Sequence, residues 1–189
     1  MGLPPKSKGD YAFISHMLAS LNENGTAGII LPHGVLFRAA SEGKIRKQII
    51  ENNWLDAVIG LPENLFFGTG IPACILIFKK NKADNNIVFI DASNDFDKGK
   101  NQNVLRNEDI EKILKAYIER KEVEKYCHIA TFEELKDNDF NLNIPRYIDT
   151  FEDEEKIDMQ LLSDDMNQIE NELIKIKVSM KKYLDVLGI

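Results

Sequence analysis

One short segment of the chain has the look of a ligand loop, Gly68-Thr69-Gly70, whose glycines would let the backbone approach a phosphate or a planar group closely. Phosphate loops run from a strand into a helix, because the free N–H groups of the helix N-terminus help hold the anion. Here Ile71-Pro72 leads into an apolar run with the character of a strand, so the two glycines read as a turn. No other glycine-rich phosphate or cofactor loop occurs in the sequence. Asp91-Ala92-Ser93, at the end of another apolar run, fits an Asx-type turn. His16, His33 and His128 are not at metal-ligand spacing from one another or from Cys74 and Cys127. Two cysteines are too few for a disulfide framework and read as plain thiols. No serine sits in a nucleophile elbow. Residue types alone therefore assemble no acid, base and nucleophile.

The elements that must position these residues follow from periodicity. Tyr11, Ile14, Leu18 and Leu21 recur at three and four behind Ser7-Lys8-Gly9-Asp10, which offers an N-cap, so Asp10 to Leu21 is a helix ended by Asn24-Gly25. Ala27 to Leu31 is a continuous apolar run closed by Pro32, which fits a strand buried on both faces. Ile45, Ile49 and Ile50 mark a second helix that stops near Asn52-Asn53, and Leu55 to Leu61 is the next strand. This alternation is the grammar of an α/β layered sheet. Ala73 to Phe78 is a third strand, but the connection to it is too short for a helical crossover, so these two strands should be antiparallel neighbours. Ile87 to Ile90 is a fourth strand, followed by a polar loop from Asp91 to Asn103, a helix from about Asn107 to Glu122 and an irregular lead from Asn141 to Tyr147.

The remainder is a tail of a different kind. Leu162, Met166, Ile169, Leu173, Ile176, Met180, Tyr183 and Leu187 are spaced alternately by four and three, a heptad seam, with Gly188 as its stop. Between Phe151 and Asp165, overlapping its start, Glu152, Asp153, Glu154, Glu155, Asp158, Asp164 and Asp165 against Lys156 carry -6 of the chain's net charge of -7. The rest is nearly neutral, so the acidic balance does not exclude nucleic acid as a partner, although it argues against a tight nonspecific DNA binder. The 189 residues suffice for one domain with a buried core and an extra element. No apolar run approaches the roughly 20 residues of a membrane span, and Met1 to Lys6 lacks the order of a signal peptide, so a soluble cytoplasmic chain is expected.

Three stretches carry a resemblance. Leu3-Pro4-Pro5-Lys6-Ser7-Lys8-Gly9-Asp10-Tyr11-Ala12-Phe13, Ile30-Leu31-Pro32-His33-Gly34-Val35-Leu36-Phe37-Arg38, and Ile59 through Pro72 with its Leu61-Pro62-Glu63-Asn64-Leu65-Phe66-Phe67-Gly68-Thr69-Gly70 core resemble the modification subunit of type I restriction-modification systems. Asn141-Leu142-Asn143-Ile144-Pro145-Arg146-Tyr147-Ile148, ahead of the acidic stretch and terminal helix, resembles the end of that subunit. The resemblance implies an S-adenosylmethionine-dependent N6-adenine DNA methyltransferase working with a specificity subunit, a restriction subunit and double-stranded DNA. It covers only the family's C-terminal part. The family's glycine-rich cofactor loop and its (Asn/Asp)-Pro-Pro-(Tyr/Phe) catalytic motif lie upstream, and neither occurs in these 189 residues. Pro4-Pro5 has no aromatic after it. A fragment or an interrupted gene product is expected, with no cofactor bound by this chain alone.

The resemblance further implies the C-terminal half of a methyltransferase-type (Rossmann-like) sheet with an antiparallel hairpin, plus the long terminal helix. Residues 1–147 would be a partial methyltransferase domain, 148–161 an acidic spacer and 162–189 an assembly helix. Ile29 to Leu31, Leu55 to Leu61 and Ala73 to Phe78 resemble the last three strands of that sheet. Related adenine methyltransferases place an aromatic ring against the flipped base in the loop before the last of these. Phe66 best fits that position and Phe67 is its alternate, with Gly68 and Gly70 in the same adenine-facing loop. Two other expectations compete with an inactive methyltransferase portion. One is a freestanding assembly module that binds the specificity subunit, with self-association through the helix as a related behaviour. The other, a complete small α/β enzyme of unrelated chemistry, lacks a catalytic set.

Overall fold

Apolar residues in the chain repeat with two periods, and each period builds one layer. The computed structural model describes residues 2–150 and 159–187. In chain order, a first unit spanning Met1–Thr150 contains α1 (Asp10–Ser20), β1 (Thr26–Pro32), a one-turn helix α2 (Gly34–Phe37), α3 (Ala40–Glu51), β2 (Leu55–Gly60), β3 (Ala73–Lys79) and β4 (Ile87–Asp91). A short hairpin follows, β5 (Asp97–Lys98) with β6 (Asn103–Val104), then α4 (Asn107–Glu119), β7 (Cys127–Ala130), α5 (Phe132–Asp137) and a 3-10 turn at Ile144–Arg146. The second unit, Phe151–Ile189, is described as one helix, α6 (Met159–Leu187). Most of the acidic stretch, residues 151–158, and the stop at Gly188 lie outside the described residues.

The five long strands form a mixed sheet in the order β1-β3-β2-β4-β7. β3 runs antiparallel to both neighbours, pairing Thr26 with Lys79 through Pro32 with Ala73 on one side, and Leu55 with Phe78 through Gly60 with Cys74 on the other. β2 and β4 are parallel, and β7 closes the far side antiparallel to β4. The antiparallel neighbours expected from the short connection are thus present. Period-2 alternation then sorts β4: Ile87 and Phe89 enter the core beneath α1, α3 and α5, while Val88 and Ile90 enter the core beneath α4. Tyr11, Ile14 and Leu18 of α1 and Ile45, Ile49 and Ile50 of α3 are the buried positions anticipated from their spacing. Phe89 stacks on Tyr147 with ring centroids 3.9 Å apart, which ties the Asn141 to Tyr147 segment to the middle of the sheet.

Several expectations are corrected. β1 is the outermost strand and is not buried on both faces: Leu31 is buried, but Ile30 is half exposed, because no element of the first unit covers that face fully or pairs with its outer edge. The N-cap of α1 is Gly9 rather than a side chain; Asp10 instead pairs with Arg38 at 3.0 Å. The polar stretch from Asp91 to Asn103 contains the β5–β6 hairpin, and α4 ends at Glu119, where Arg120 turns into the left-handed region. α2, β7 and α5 are additional elements, each six residues or fewer.

One polar group interrupts this packing. Asp56 sits at a bulge between Leu55 and Ala57, where the extra residue redirects its side chain. The buried carboxylate accepts from Tyr117 OH at 2.6 Å, Lys79 Nζ at 2.9 Å and Arg120 at 3.0 Å. Burial alone would raise its pKa, but the hydrogen bonds from Tyr117, Lys79 and Arg120 prevail and hold it below the usual carboxylate value. A folded pKa depressed in this way contributes stability that is complete above the unfolded value near 3.9 and is lost as pH falls through the folded value. Asp56→Ala should therefore cost about 3 kcal/mol, the low end for breaking a buried pair, because Lys79 and Arg120 can regain water. Urea titrations at neutral pH and below pH 4 check this: the gap between wild type and variant should narrow in acid.

Candidate functional site

β1, β2 and β4 end, and β3 and β7 begin, on the same side of the sheet, the side on which open α/β sheets bind ligands. Three segments gather there: the turn Pro32–Phe37, the loop from Leu61 to Pro72, and Asp91-Ala92-Ser93. The last is an Asx turn, with Ser93 N–H donating to Asp91 Oδ1 at 3.0 Å, as its spacing suggests. His33 Nε2 donates to the carbonyl of Ala73 at 2.9 Å, so its imidazole pins the end of β1 to the start of β3.

The loop doubles back through a four-residue turn, Phe66 to Thr69. The two end residues bridge, and Gly68 has φ +78°, the left-handed value that the third position of such a turn needs. Phe67 occupies the tip and is 90% exposed; Phe66, at the base, is 39% exposed. Thr69 Oγ1 accepts from Ile71 N–H at 3.3 Å, and Asn64 N–H donates to Gly70 O at 3.3 Å, closing the loop on itself. The β5–β6 hairpin braces it from outside: Asn103 donates through its backbone to Asn64 O at 2.8 Å and through its side chain to Glu63 O at 2.9 Å, and Gln102 donates to Leu65 O at 3.0 Å.

Two hollows flank this turn and share Phe66. The larger, of about 390 Å³, is walled by Ile30, Leu61, Leu65, Phe66 and Ile75, with Gln102 and Asn103 as its polar members. The smaller, of about 170 Å³, lies between Phe66, Pro32, Thr69, Ile71 and Pro72. Phe67 lines neither. An aromatic wall between two apolar recesses, with two amide side chains nearby, can receive a flat heterocycle by stacking. S-adenosylmethionine does not fit the residues present: the glycine turn leads into β3 rather than a helix, and no acidic side chain lines either hollow to meet its ribose hydroxyls or positive charge.

The other candidates are dispersed. Cys74 and Cys127 are buried, and burial pushes their thiols up to about 12 and about 11, out of the reactive range. His16 is exposed on α1. His128, on β7, sits between Glu134 at 2.9 Å and Glu122 at 3.1 Å; burial opposes its protonation, but hydrogen bonds to the two carboxylates raise its pKa. Among the described residues no group of three or more His, Cys, Asp or Glu could hold a metal ion, and no helix is long and apolar enough to cross a membrane. Sequence spacing did not point to Ile30, Gln102 or Asn103 as site residues, because their proximity to Phe66 arises from sheet pairing and from the β5–β6 hairpin.

The family model for N-6 DNA methylase matches residues 1–156. The chain is 38% identical over 193 residues to the type I restriction enzyme MjaVIII methylase subunit of Methanocaldococcus jannaschii, covering 99% of this chain and 33% of that protein. It is 34% identical to the MpnII methylase subunit of Mycoplasma pneumoniae, covering 96% of this chain and 34% of the relative. The chain therefore spans about a third of the length of these curated relatives. A crystal structure of the type I restriction-modification methyltransferase subunit from Streptococcus thermophilus is 54% identical and superposes with a TM-score of 0.77, over 78% of this chain and 32% of that one.

The two glycines of the turn differ in a way that stability measurements can read. A Cβ at either position would meet nothing within 4 Å, but only Gly68 has a left-handed backbone. Gly68→Ala should cost about 1–2 kcal/mol, whereas Gly70→Ala should be neutral or stabilise by a few tenths of a kcal/mol. Paired thermal melts check this, and equal effects would remove the turn geometry as the cause.

Proposed function

Because the chain belongs to the N-6 DNA methylase family, we propose that it forms the C-terminal portion of a type I restriction-modification adenine-N6 methyltransferase subunit. In this reading residues 1–147 are part of the methyltransferase domain, 148–161 an acidic spacer and 162–189 an assembly helix. β1, β3 and β2 serve as the last three strands of the methyltransferase sheet. The cofactor loop and catalytic motif are supplied by the rest of the subunit, which also binds S-adenosylmethionine, and the assembled enzyme works on double-stranded DNA in the cytoplasm.

This chain's share of the chemistry is to receive the base. An enzyme that modifies an exocyclic nitrogen must take the nucleotide out of the duplex and stack it. Phe66 is assigned the stacking ring, Gly68 and Gly70 shape its turn, and Phe67 is the alternate ring. The observation that supports this most is the position of Phe66 as the shared wall of both apolar hollows at the carboxyl end of the sheet. With the remainder of the subunit supplied, Phe66→Ala should lose roughly 1–3 kcal/mol of stacking, equivalent to about 5- to 150-fold in kcat/KM, while circular dichroism stays unchanged. Unaltered methylation by Phe66→Ala, with a loss in Phe67→Ala, would transfer the role to the other ring.

The helix α6 is assigned to assembly with the specificity subunit, and through it with the restriction subunit. Ile169 is 64% exposed and Ile176 66%, and Met166, Leu173, Met180 and Tyr183 on the same seam are also exposed. A stripe of this size marks an interaction surface. The same stripe favours a second reading, a freestanding module that binds the specificity subunit, and it gives the chain a route to self-association. Replacing Ile169 and Ile176 by Asp should abolish either association by placing unpaired charges in the contact. Sedimentation of wild type and double variant, alone and with the specificity subunit, tests this; identical behaviour throughout would exclude α6 as the docking helix.

A further inference from the structure

Away from the adenine-facing loop, the turn that follows β1 opens into a third hollow of different character. It measures about 340 Å³ and lies between the first turns of α3 and the segment after α5. Four cationic side chains line it, Lys44, Arg46, Lys47 and Arg146, together with the amides of Asn138 and Asn141 and a single carboxylate, Asp139.

The cations here are incompletely neutralised. Arg46 is 5% exposed, and its hydrogen bonds run to carbonyl oxygens, Phe140 O at 2.8 Å, Arg38 O at 2.9 Å and Val35 O at 3.1 Å. Among the described residues it has no ion pair, and neither does Lys44. Lys47 has a loose contact with Glu51 at 3.6 Å and stands over the Phe140 ring, 5.1 Å from its centroid, and Arg146 donates to the side-chain oxygen of Asn138 at 3.4 Å. Asn141 uses its side-chain oxygen to accept from Asn143 N–H, which leaves its amide nitrogen as a donor. The wall is also held in an unusual backbone state, with Ala40, Asp139 and Phe140 all at φ between 54° and 55°.

A concave, donor-rich surface with a buried positive charge suits a tetrahedral anion with several acceptor oxygens, and a phosphodiester carries only one charge, which this excess can balance. Its place in the fold narrows the source. Pro32 touches the smaller hollow beside Phe66, Phe37 touches this one, and the six-residue turn Pro32–Phe37 joins them. A strand of nucleic acid whose base stands against Phe66 carries a backbone phosphate on either side of that nucleotide. We propose that the hollow between α3 and the Asn138–Arg146 segment binds a backbone phosphate of the DNA, near the nucleotide turned toward Phe66. The assignment of DNA as its source rests on the methyltransferase reading; the anion site itself does not.

The test separates the two. Dimethyl phosphate, a diester without a base, is titrated into the 15N-labelled full chain and followed by amide shifts. Shifts should appear at residues 40–47 and 138–146 and vanish in the double variant Lys44→Gln/Arg146→Gln, two exposed positions. Absence of saturable shifts in the wild type overturns the site. Binding of a labelled 20-base-pair duplex is then measured by anisotropy over a salt series. The double variant should bind several-fold more weakly, with the slope of log K against log salt reduced by about one, as for one lost phosphate contact, whereas Phe66→Ala should leave that slope unchanged. Diester binding combined with an unaltered duplex slope overturns DNA as the source and assigns the hollow to a free anion.

Discussion

The whole arrangement depends on β3 running against both of its neighbours. A strand inserted in reverse between two parallel ones must be entered from the end at which those strands finish. The chain leaving β2 is thereby forced to turn within the space beyond the sheet instead of crossing behind it, and that turn is the Leu61 to Pro72 loop. Ala73, the first residue of β3, is the anchor: its carbonyl accepts from Leu61 N–H at 2.9 Å and from His33 at 2.9 Å, and its backbone pairs with Pro32. Loops placed on a rigid scaffold in this way can carry recognition without forming a core of their own.

The two ends of the sheet divide the electrostatic work. At the end where β2 begins, the Asp56 carboxylate is met by a phenol, an ammonium and a guanidinium, so the buried charge is compensated from β3 and from α4 with its C-cap. That network fastens α4 to the sheet through Tyr117 and Arg120. At the other end, hydrophobic walls surround Phe66 and the polar groups that approach it are neutral amides. A neutral heterocycle is favoured there over a charged one, because an ion would lose hydration without gaining a counter-charge.

The features legible in the sequence are those with local causes. The buried faces of α1 and α3 follow from residues three and four apart, and the reversal between β2 and β3 follows from a connection too short for a helix. The double burial assigned to β1 failed because an apolar run records what a strand is able to bury, not whether a covering element stands beside it. β7 escaped notice because Cys127-His128-Ile129-Ala130 is only four residues long and acquires its identity only by pairing with Ile87–Ile90. α5, at six residues, is too short to show a helical period. Of the site, the turn glycines were visible as a turn, and Phe66 was reached through resemblance rather than spacing. Its surroundings were not visible, since Gln102 and Asn103 bond the loop from 37 and 40 positions away.

The outer edge of β1 bears on how the chain behaves in a crowded solution. Seven residues, Thr-Ala-Gly-Ile-Ile-Leu-Pro, present main-chain donors and acceptors with no charged side chain among them, and Ile30 adds an exposed apolar face. Only Pro32, at the last position, blunts this edge. An uncharged border strand of this kind serves as a template for any extended apolar segment that meets it. A segment paired along this edge would therefore also guard it against amyloid-like stacking, so that solubility would depend on that pairing as well as on the folded domain.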